Sequence, residues 1–254
     1  MNPAIIGIII FACTFAGALF GMRLRTTLPE HHLNNESRDT IKLGVGLVAT
    51  MTALVLGLVT ASAKSSLDAV QTAVRHSAMD ILTLDRLLAR YGPDAGEIRG
   101  AFQHMVALRI GMIWPQSSSQ LPQLDLSGAA ASEAERLVDR ILLLTPHDDA
   151  QRLLQSRALE LADTLLKTRW MISGGEGTSV PRPFLLILLF WLMITFASFG
   201  LLAPRNVTVL AVLFVCALSV SSAMFFILEM DEPFTGLLKV SAGPLRYALA
   251  HLNQ

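Results

Sequence analysis

Four long stretches without a single charged residue constrain the fold of this chain more than any other feature. They run from Asn2 to Met22, Leu43 to Ala63, Pro183 to Pro204 and Asn206 to Leu228. A helix of about 20 apolar residues, rising about 1.5 Å per residue, crosses the ~30 Å hydrocarbon core of a bilayer. The sequence therefore predicts an all-α integral membrane protein with four transmembrane helices, at about 3–22, 43–63, 183–203 and 206–228.

The composition agrees with a membrane protein. Hydrophobic residues make up 52% of the chain and charged residues only 16%, which leaves more apolar surface than a soluble domain of 254 residues buries. The first stretch could instead be a cleaved signal peptide, since Ala16-Gly17-Ala18 matches an A-x-A cleavage site, but no Lys or Arg precedes it. The formal net charge is zero, so no nucleic-acid partner is expected.

The spans are predicted to form two helical hairpins separated by a long polar insert. A polar segment from Arg23 to Ile41 joins the first two spans, and the tight turn Pro204-Arg205-Asn206 joins the last two. The predicted segments are a first transmembrane hairpin at 1–63, a polar helical insert at 64–182, a second hairpin at 183–228, and an acidic turn with an amphipathic C-terminal tail at 229–254.

The insert is predicted to be helical and to continue the second span without a break. Its first apolar stripe follows alternating steps of three and four residues, at Leu67, Val70, Val74, Ser77, Ile81, Leu84 and Leu88. No helix breaker occurs between Leu43 and Tyr91, and the first Gly-Pro is Gly92-Pro93. A second stripe follows at Ile98, Ala101, Met105, Leu108 and Met112, and a Ser- and Pro-rich loop is predicted from Pro115 to Ala131. Thr145-Pro146, with Asp148 and Asp149 behind it, indicates another helix start.

The second span carries small residues at a regular spacing, with Ala49, Ala53, Gly57 and Ala61 recurring every four residues and no aromatic residue beside them. Small residues at this spacing let helix backbones approach closely, so tight packing against a neighbouring helix is one hypothesis. The other is that the span lines an oligomeric pore, where small and hydroxyl side chains leave room for an ion. The pore-lining candidates are Thr50, Ala53, Gly57 and Thr60.

An acidic turn follows the fourth span, where "ILEMDEPFTG" gathers Glu229, Asp231 and Glu232. Acids at a helix C-terminus oppose the helix dipole, so a compensating partner is expected. A solvated helix end is one interpretation and a structural clasp onto Lys239, Arg246 or Lys64 is another. A bound cation such as Ca²⁺, which takes carboxylate and carbonyl oxygens from irregular turns, is the third.

No catalytic motif accompanies these features. Adjacent His31 and His32, with Glu30 and Glu36 nearby, could bind a transition metal but are also typical of an exposed polar turn. The chain contains no H-E-x-x-H, G-x-S-x-G, P-loop or dinucleotide fingerprint, so we expect no enzymatic activity. The one enzymatic alternative is a lipid-modifying activity that uses the acid cluster. No ionisable residue lies within a span, which argues against a proton relay.

Two stretches resemble a known family: "SRDTIKLGVGLVATMTALVLGLVTASAKSS" at 37–66 and "FWLMITFASFGLLAPRNVTVLAVLFVCALSVSSAMFFILEMDEPFTG" at 190–236. Together with the hairpin and insert pattern, they are similar to the bestrophin-like bacterial membrane domains of unknown function. More distantly, Glu232-Pro233-Phe234 with Gly236 is similar to the "NPFG" calcium-site segment of true bestrophins. Here Glu replaces Asn, Thr235 precedes the glycine, and the longer acidic run of calcium-gated bestrophins is absent, which puts calcium gating in doubt.

The resemblance implies a function that the residues alone do not give. Bestrophins are pentameric anion channels, so it implies a homo-oligomer, pentameric by analogy, that sits in a lipid bilayer and conducts small inorganic ions, anions among them. It also implies a multi-pass protein of the bacterial inner (plasma) membrane, with the insert and both termini in the cytoplasm; charge counting around the spans does not decide the orientation. The alternative function is a non-conducting membrane scaffold or sensor acting through its helical insert.

Overall fold

The computed structural model describes residues 2–27, 35–115, 135–173, 182–204, 206–234 and 236–254, and within these ranges the chain is helical without a β-strand. The helices are α1 Pro3–Thr27, α2 Asn35–Tyr91, α3 Gly96–Ile113, α4 135–142, α5 Asp149–Ser173, α6 Arg182–Leu202, α7 Val207–Met230 and α8 Gly243–Ala250. Four of them, α1, α2, α6 and α7, are long and apolar enough to cross a membrane. The predicted all-α membrane architecture is therefore confirmed.

The chain folds into two compact units. The first, here called the membrane unit, comprises Met1–Leu67 and Gly177–Lys239. The second, called the insert unit, comprises Asp68–Glu176 and Val240–Gln254. Helix α2 contributes its first half to the membrane unit and its remainder to the insert unit, and it is continuous, as the absence of a helix breaker predicts. Each unit is built from two separate parts of the chain.

Within the membrane unit, α1 packs closely against both α6 and α7. The contact with α6 is backbone to backbone, because a β-carbon on Gly21 would collide with the carbonyl oxygen of Ala197. On the other side, the Ser221 hydroxyl of α7 donates a hydrogen bond of 2.6 Å to the carbonyl oxygen of Gly7. The absence of a side chain at Gly21 thus permits α1 and α6 to approach, and the buried hydroxyl of Ser221 links α7 to α1.

Within the insert unit, α2 ends at Tyr91 and is followed by Gly92-Pro93. Gly92 has φ 122°, a conformation that a glycine adopts without steric cost, and the 3₁₀ turn Pro93–Ala95 then leads into α3. The stripe predicted along α2 is confirmed at its later positions, since Leu84 and Leu88 are almost fully buried. At the start of α5 the Asp148 carboxylate accepts a hydrogen bond of 2.6 Å from the Gln151 N–H and caps the helix.

The C-terminal residues complete the insert unit. The indole N–H of Trp114 at the end of α3 donates to the Val240 carbonyl oxygen at 2.8 Å. The backbone N–H of Asn253 donates to Asp85 at 3.3 Å, and the Arg86 guanidinium donates to the Gln254 carbonyl at 3.0 Å. Helix α8, which lies between Val240 and Asn253 in the chain, packs on α3. The insert unit is therefore closed by chain that follows the fourth span.

Candidate functional site

The membrane part of α2 has one covered and one uncovered side. Thr52, Val59 and Ala63 are at most 7% exposed and face the other helices of the membrane unit. Val59 and Ala63 share an apolar cluster with residues of α1, α6 and α7, including Leu188 and Met224. These contacts fix the rotation of α2 about its own axis and so decide which side chains remain uncovered.

The uncovered side contains all four pore-lining candidates. Thr50, Ala53, Gly57 and Thr60 are exposed and recur at steps of three and four residues, so they share one face of the helix, which we call the α2 outer face. A β-carbon built on Gly57 meets no heavy atom within 4 Å. Ala53 and Gly57 therefore do not serve close packing within the protomer, and their face is available for packing between protomers or for lining a pore.

The hydroxyl groups on this face have their protons committed to the helix. Thr50 Oγ1 donates to the Leu47 carbonyl at 2.8 Å, and Thr60 Oγ1 donates to the Leu56 carbonyl at 2.7 Å. A hydroxyl has one proton and two lone pairs, so in this geometry each threonine offers outward an acceptor oxygen. The α2 outer face is thus uncharged, has small side chains, and carries two oxygen atoms that water or an ion can approach.

In the acidic turn, the three acids differ in their surroundings. Glu229 is only 4% exposed, whereas Asp231 is half-buried and Glu232 is exposed. The Glu229 carboxylate accepts a hydrogen bond of 2.6 Å from the backbone N–H of Leu237. This bond closes the chain back onto the end of α7, which is the geometry of a clasp.

Gly236 allows the clasp to close. Its φ of 78° lies in the left-handed region, and a β-carbon at this position would collide with the Glu229 carboxylate. From the sequence, the acids of this turn are expected to be solvated, to pair with a cationic side chain or to bind a cation. The partner found here is a backbone N–H, and the signal for it was the glycine beside Leu237 and not any charged residue.

The side chains do not assemble a metal site in the described part of the chain. No group of three or more His, Cys, Asp or Glu side chains there lies close enough together to hold a metal ion. The described acids of the acidic turn therefore form no such group. His31, His32 and Glu30 lie outside the described residues, and Glu36 is exposed at the start of α2.

Comparison with curated proteins and with solved structures gave no match. A family model described as the bestrophin-like domain matches residues 12–245, which include the α2 outer face, the whole insert unit up to α8, and the acidic turn. The match covers nearly the entire chain and agrees with the resemblance seen in its sequence. The chain therefore belongs to the bestrophin-like family.

Proposed function

We propose that this chain forms a homo-oligomeric membrane pore for small ions, with the α2 outer face lining the ion path. The observation that carries the proposal is that Thr50, Ala53, Gly57 and Thr60 form a face of small, uncharged residues that the protomer itself leaves uncovered. A pore along an oligomer axis places such a face against water. The relation of the family to bestrophin anion channels supports the same function.

The remaining parts of the proposal follow from the same relation. The assembly is a pentamer in the bacterial inner membrane, with the insert and both termini in the cytoplasm. The Glu229 clasp holds the chain that leaves α7 in a fixed path, and no catalytic role belongs to Glu229, Asp231 or Glu232. The double variant Asp231→Asn with Glu232→Gln tests the absence of a catalytic role. Liposomes that contain it should show the same ion flux and the same lipid composition as liposomes that contain wild-type protein.

The two threonines of the α2 outer face bear on the charge of the permeant ion. An anion needs hydrogen-bond donors, and the hydroxyl protons of Thr50 and Thr60 are used by the helix. Either hydroxyl would have to release its carbonyl before it could contact an anion, whereas its oxygen already faces outward for a cation or for water. Anion and cation flux therefore have to be measured separately.

The test is ion efflux from liposomes that contain the purified full-length protein. We expect wild-type protein to release ions and Gly57→Leu to reduce release to the level of empty liposomes, because the leucine side chain enters the open space of the α2 outer face. Gly44→Leu is the matched control. Its β-carbon also meets open space, but Gly44 lies about 140° around the same helix at about 100° per residue.

Each outcome decides between pore and scaffold. Flux lost in Gly57→Leu but kept in Gly44→Leu, with the oligomer intact by size-exclusion light scattering, supports the pore. Dissociation of the Gly57→Leu oligomer assigns the face to packing between protomers and favours the scaffold function. Absence of flux from assembled wild-type protein, with and without Ca²⁺, would overturn the proposal.

A further inference from the structure

The insert unit contains a cavity, here called the α3 cavity, that the proposed pore does not use. It is an open cleft of about 520 Å³, a volume that includes the solvent at its mouth. Its wall is mostly apolar and comes from Phe102, Val106 and Ile110 of α3, Leu165 of α5 and Leu245 of α8. Concave sites with apolar walls and a few polar groups are the usual form of small-molecule sites.

Arg109 is the sole charged residue among the described residues that line this cavity. It is half-buried, and it also lines a second, smaller apolar cleft beside Leu137 and Ala162. The guanidinium therefore lies between two apolar spaces. A charged group in such a place has lost part of its hydration, which is unfavourable unless another group replaces the water.

Within the described ranges of the chain, no acceptor lies within hydrogen-bond or ion-pair distance of the Arg109 side chain. Arg99, three turns earlier on α3, shows the usual alternative, because it binds Asp85 through two hydrogen bonds of 2.8 and 3.0 Å. Loss of hydration, together with the nearby positive charge of Arg169, lowers the pKa of Arg109 to about 10. The lowered pKa of Arg109 thus reflects the loss of hydration around its guanidinium.

We infer that the α3 cavity binds a small amphipathic carboxylate, with the carboxylate on Arg109 and the hydrocarbon chain against the apolar wall. The planar guanidinium matches a carboxylate with two parallel hydrogen bonds and would regain the acceptors that it lacks. The apolar wall supplies the hydrophobic contact for the chain. This inference is independent of ion conduction.

The experiment uses the indole of Trp114, which also lines the cavity. Full-length protein in phosphatidylcholine nanodiscs is titrated with octanoate, and tryptophan emission is followed. Octylammonium, with the same chain and the opposite charge, and acetate, with the head group alone, are the ligand controls. We expect a saturable change with octanoate, none with octylammonium, and much weaker binding of acetate.

Variants locate the binding site. Arg109→Gln should weaken octanoate binding about tenfold or more, because a hydrogen-bonded charge pair is lost. Arg109→Lys should retain part of the octanoate affinity. The control is Arg90→Gln, at an exposed arginine of the same unit, which should leave the octanoate affinity unchanged. Trp114→Phe should remove the optical signal while calorimetry still detects binding.

Three results would overturn the inference: equal responses to octanoate and octylammonium, acetate binding as tightly as octanoate, or unchanged octanoate affinity in Arg109→Gln. Loss of the octanoate response in nanodiscs that contain phosphatidylglycerol would assign the cavity to a lipid phosphate and not to a free carboxylate. If Arg109→Gln does not fold, the three ligands are compared on wild-type protein and on Arg109→Lys, and this comparison still decides whether the cavity binds an amphipathic carboxylate.

Discussion

Two arginines of α3 show how much the partner of a charged side chain determines its role. Arg99 forms a bidentate pair with Asp85, whose side chain is 1% exposed while that of Arg99 is 19% exposed. Arg109 has an apolar surrounding instead. Buried pairs are costly to break because the remaining charge is left without water or a partner. Stability and binding are therefore assigned to different arginines on the same helix.

The stability prediction follows from this difference. Arg99→Met leaves Asp85 buried without its cation and should lower the free energy of unfolding by about 3 kcal/mol or more. Arg109→Met removes a cation that is poorly hydrated and should leave the apparent melting temperature of the insert unit unchanged or raise it. Circular dichroism melts of both variants in nanodiscs measure the effect. Equal losses in the two variants would contradict the prediction.

At the residue scale, the sequence identified Glu229 as a candidate but could not identify its partner. Side-chain patterns report which residues share a helix face and carry no information on where a backbone N–H points. Leu237 N–H reaches the carboxylate because Gly236 turns the chain with a positive φ. Arg109 was missed for a related reason, since the cavity around it comes from helices distant in sequence.

At the element scale, small residues have opposite uses in two neighbouring helices. A β-carbon on Gly200 of α6 would collide with the Ala18 carbonyl of α1, whereas Gly57 and Gly44 of α2 face open space. The sequence drew attention to the four-residue repeat in α2, but the close backbone contact that the described glycines show is between α1 and α6. Residue spacing alone gives the face but not which neighbour that face meets.

Gly200→Ala tests the element contact. The added methyl group must displace backbone of α1, so we expect α1 and α6 to separate and the variant to be less stable, by at least the 1–3 kcal/mol that is typical of overpacking. Gly44→Ala adds the same methyl group to open space and is the control. The yield of monodisperse protein and its apparent melting temperature are the measurements. A Gly200→Ala protein as stable as Gly44→Ala would refute the contact.

Helix α3 shows a second limit of sequence periodicity. The predicted stripe placed Leu108 on the buried face, but Leu108 is 40% exposed, and this part of the prediction was wrong. The buried positions are Ile98, Phe102, Val106 and Ile110, every fourth residue. Both stripes satisfy a helical period in an apolar helix, so only the packing partners distinguish them.

At the scale of the whole molecule, the sequence predicted the class and the long helix reliably, because charge-free length and the absence of helix breakers are local properties. It grouped residues 229–254 as one segment. In the structure Val240–Gln254 belongs to the insert unit, held by Trp114, Asp85 and Arg86. These are contacts between residues more than 100 positions apart, which no local pattern reports.

A protein ending at Lys239 tests this division. We expect it to retain its four membrane helices, because the membrane unit does not include the deleted residues. The insert unit should become sensitive to protease, since α3 loses α8 and Asp85 loses the Asn253 N–H. Limited proteolysis with mass spectrometry locates the new cleavage sites. Protection of 68–176 equal to that of the full chain would contradict the expectation.

The discontinuous insert unit also sets an order of events during synthesis. Residues 68–176 leave the ribosome before the last two membrane helices, but the chain from Val240 that completes their unit leaves after those helices. At about 5–20 residues per second, this part of the chain waits several seconds for its last helix. Leu245 is part of the wall of the α3 cavity, so this wall is complete only after the fourth membrane helix has been made.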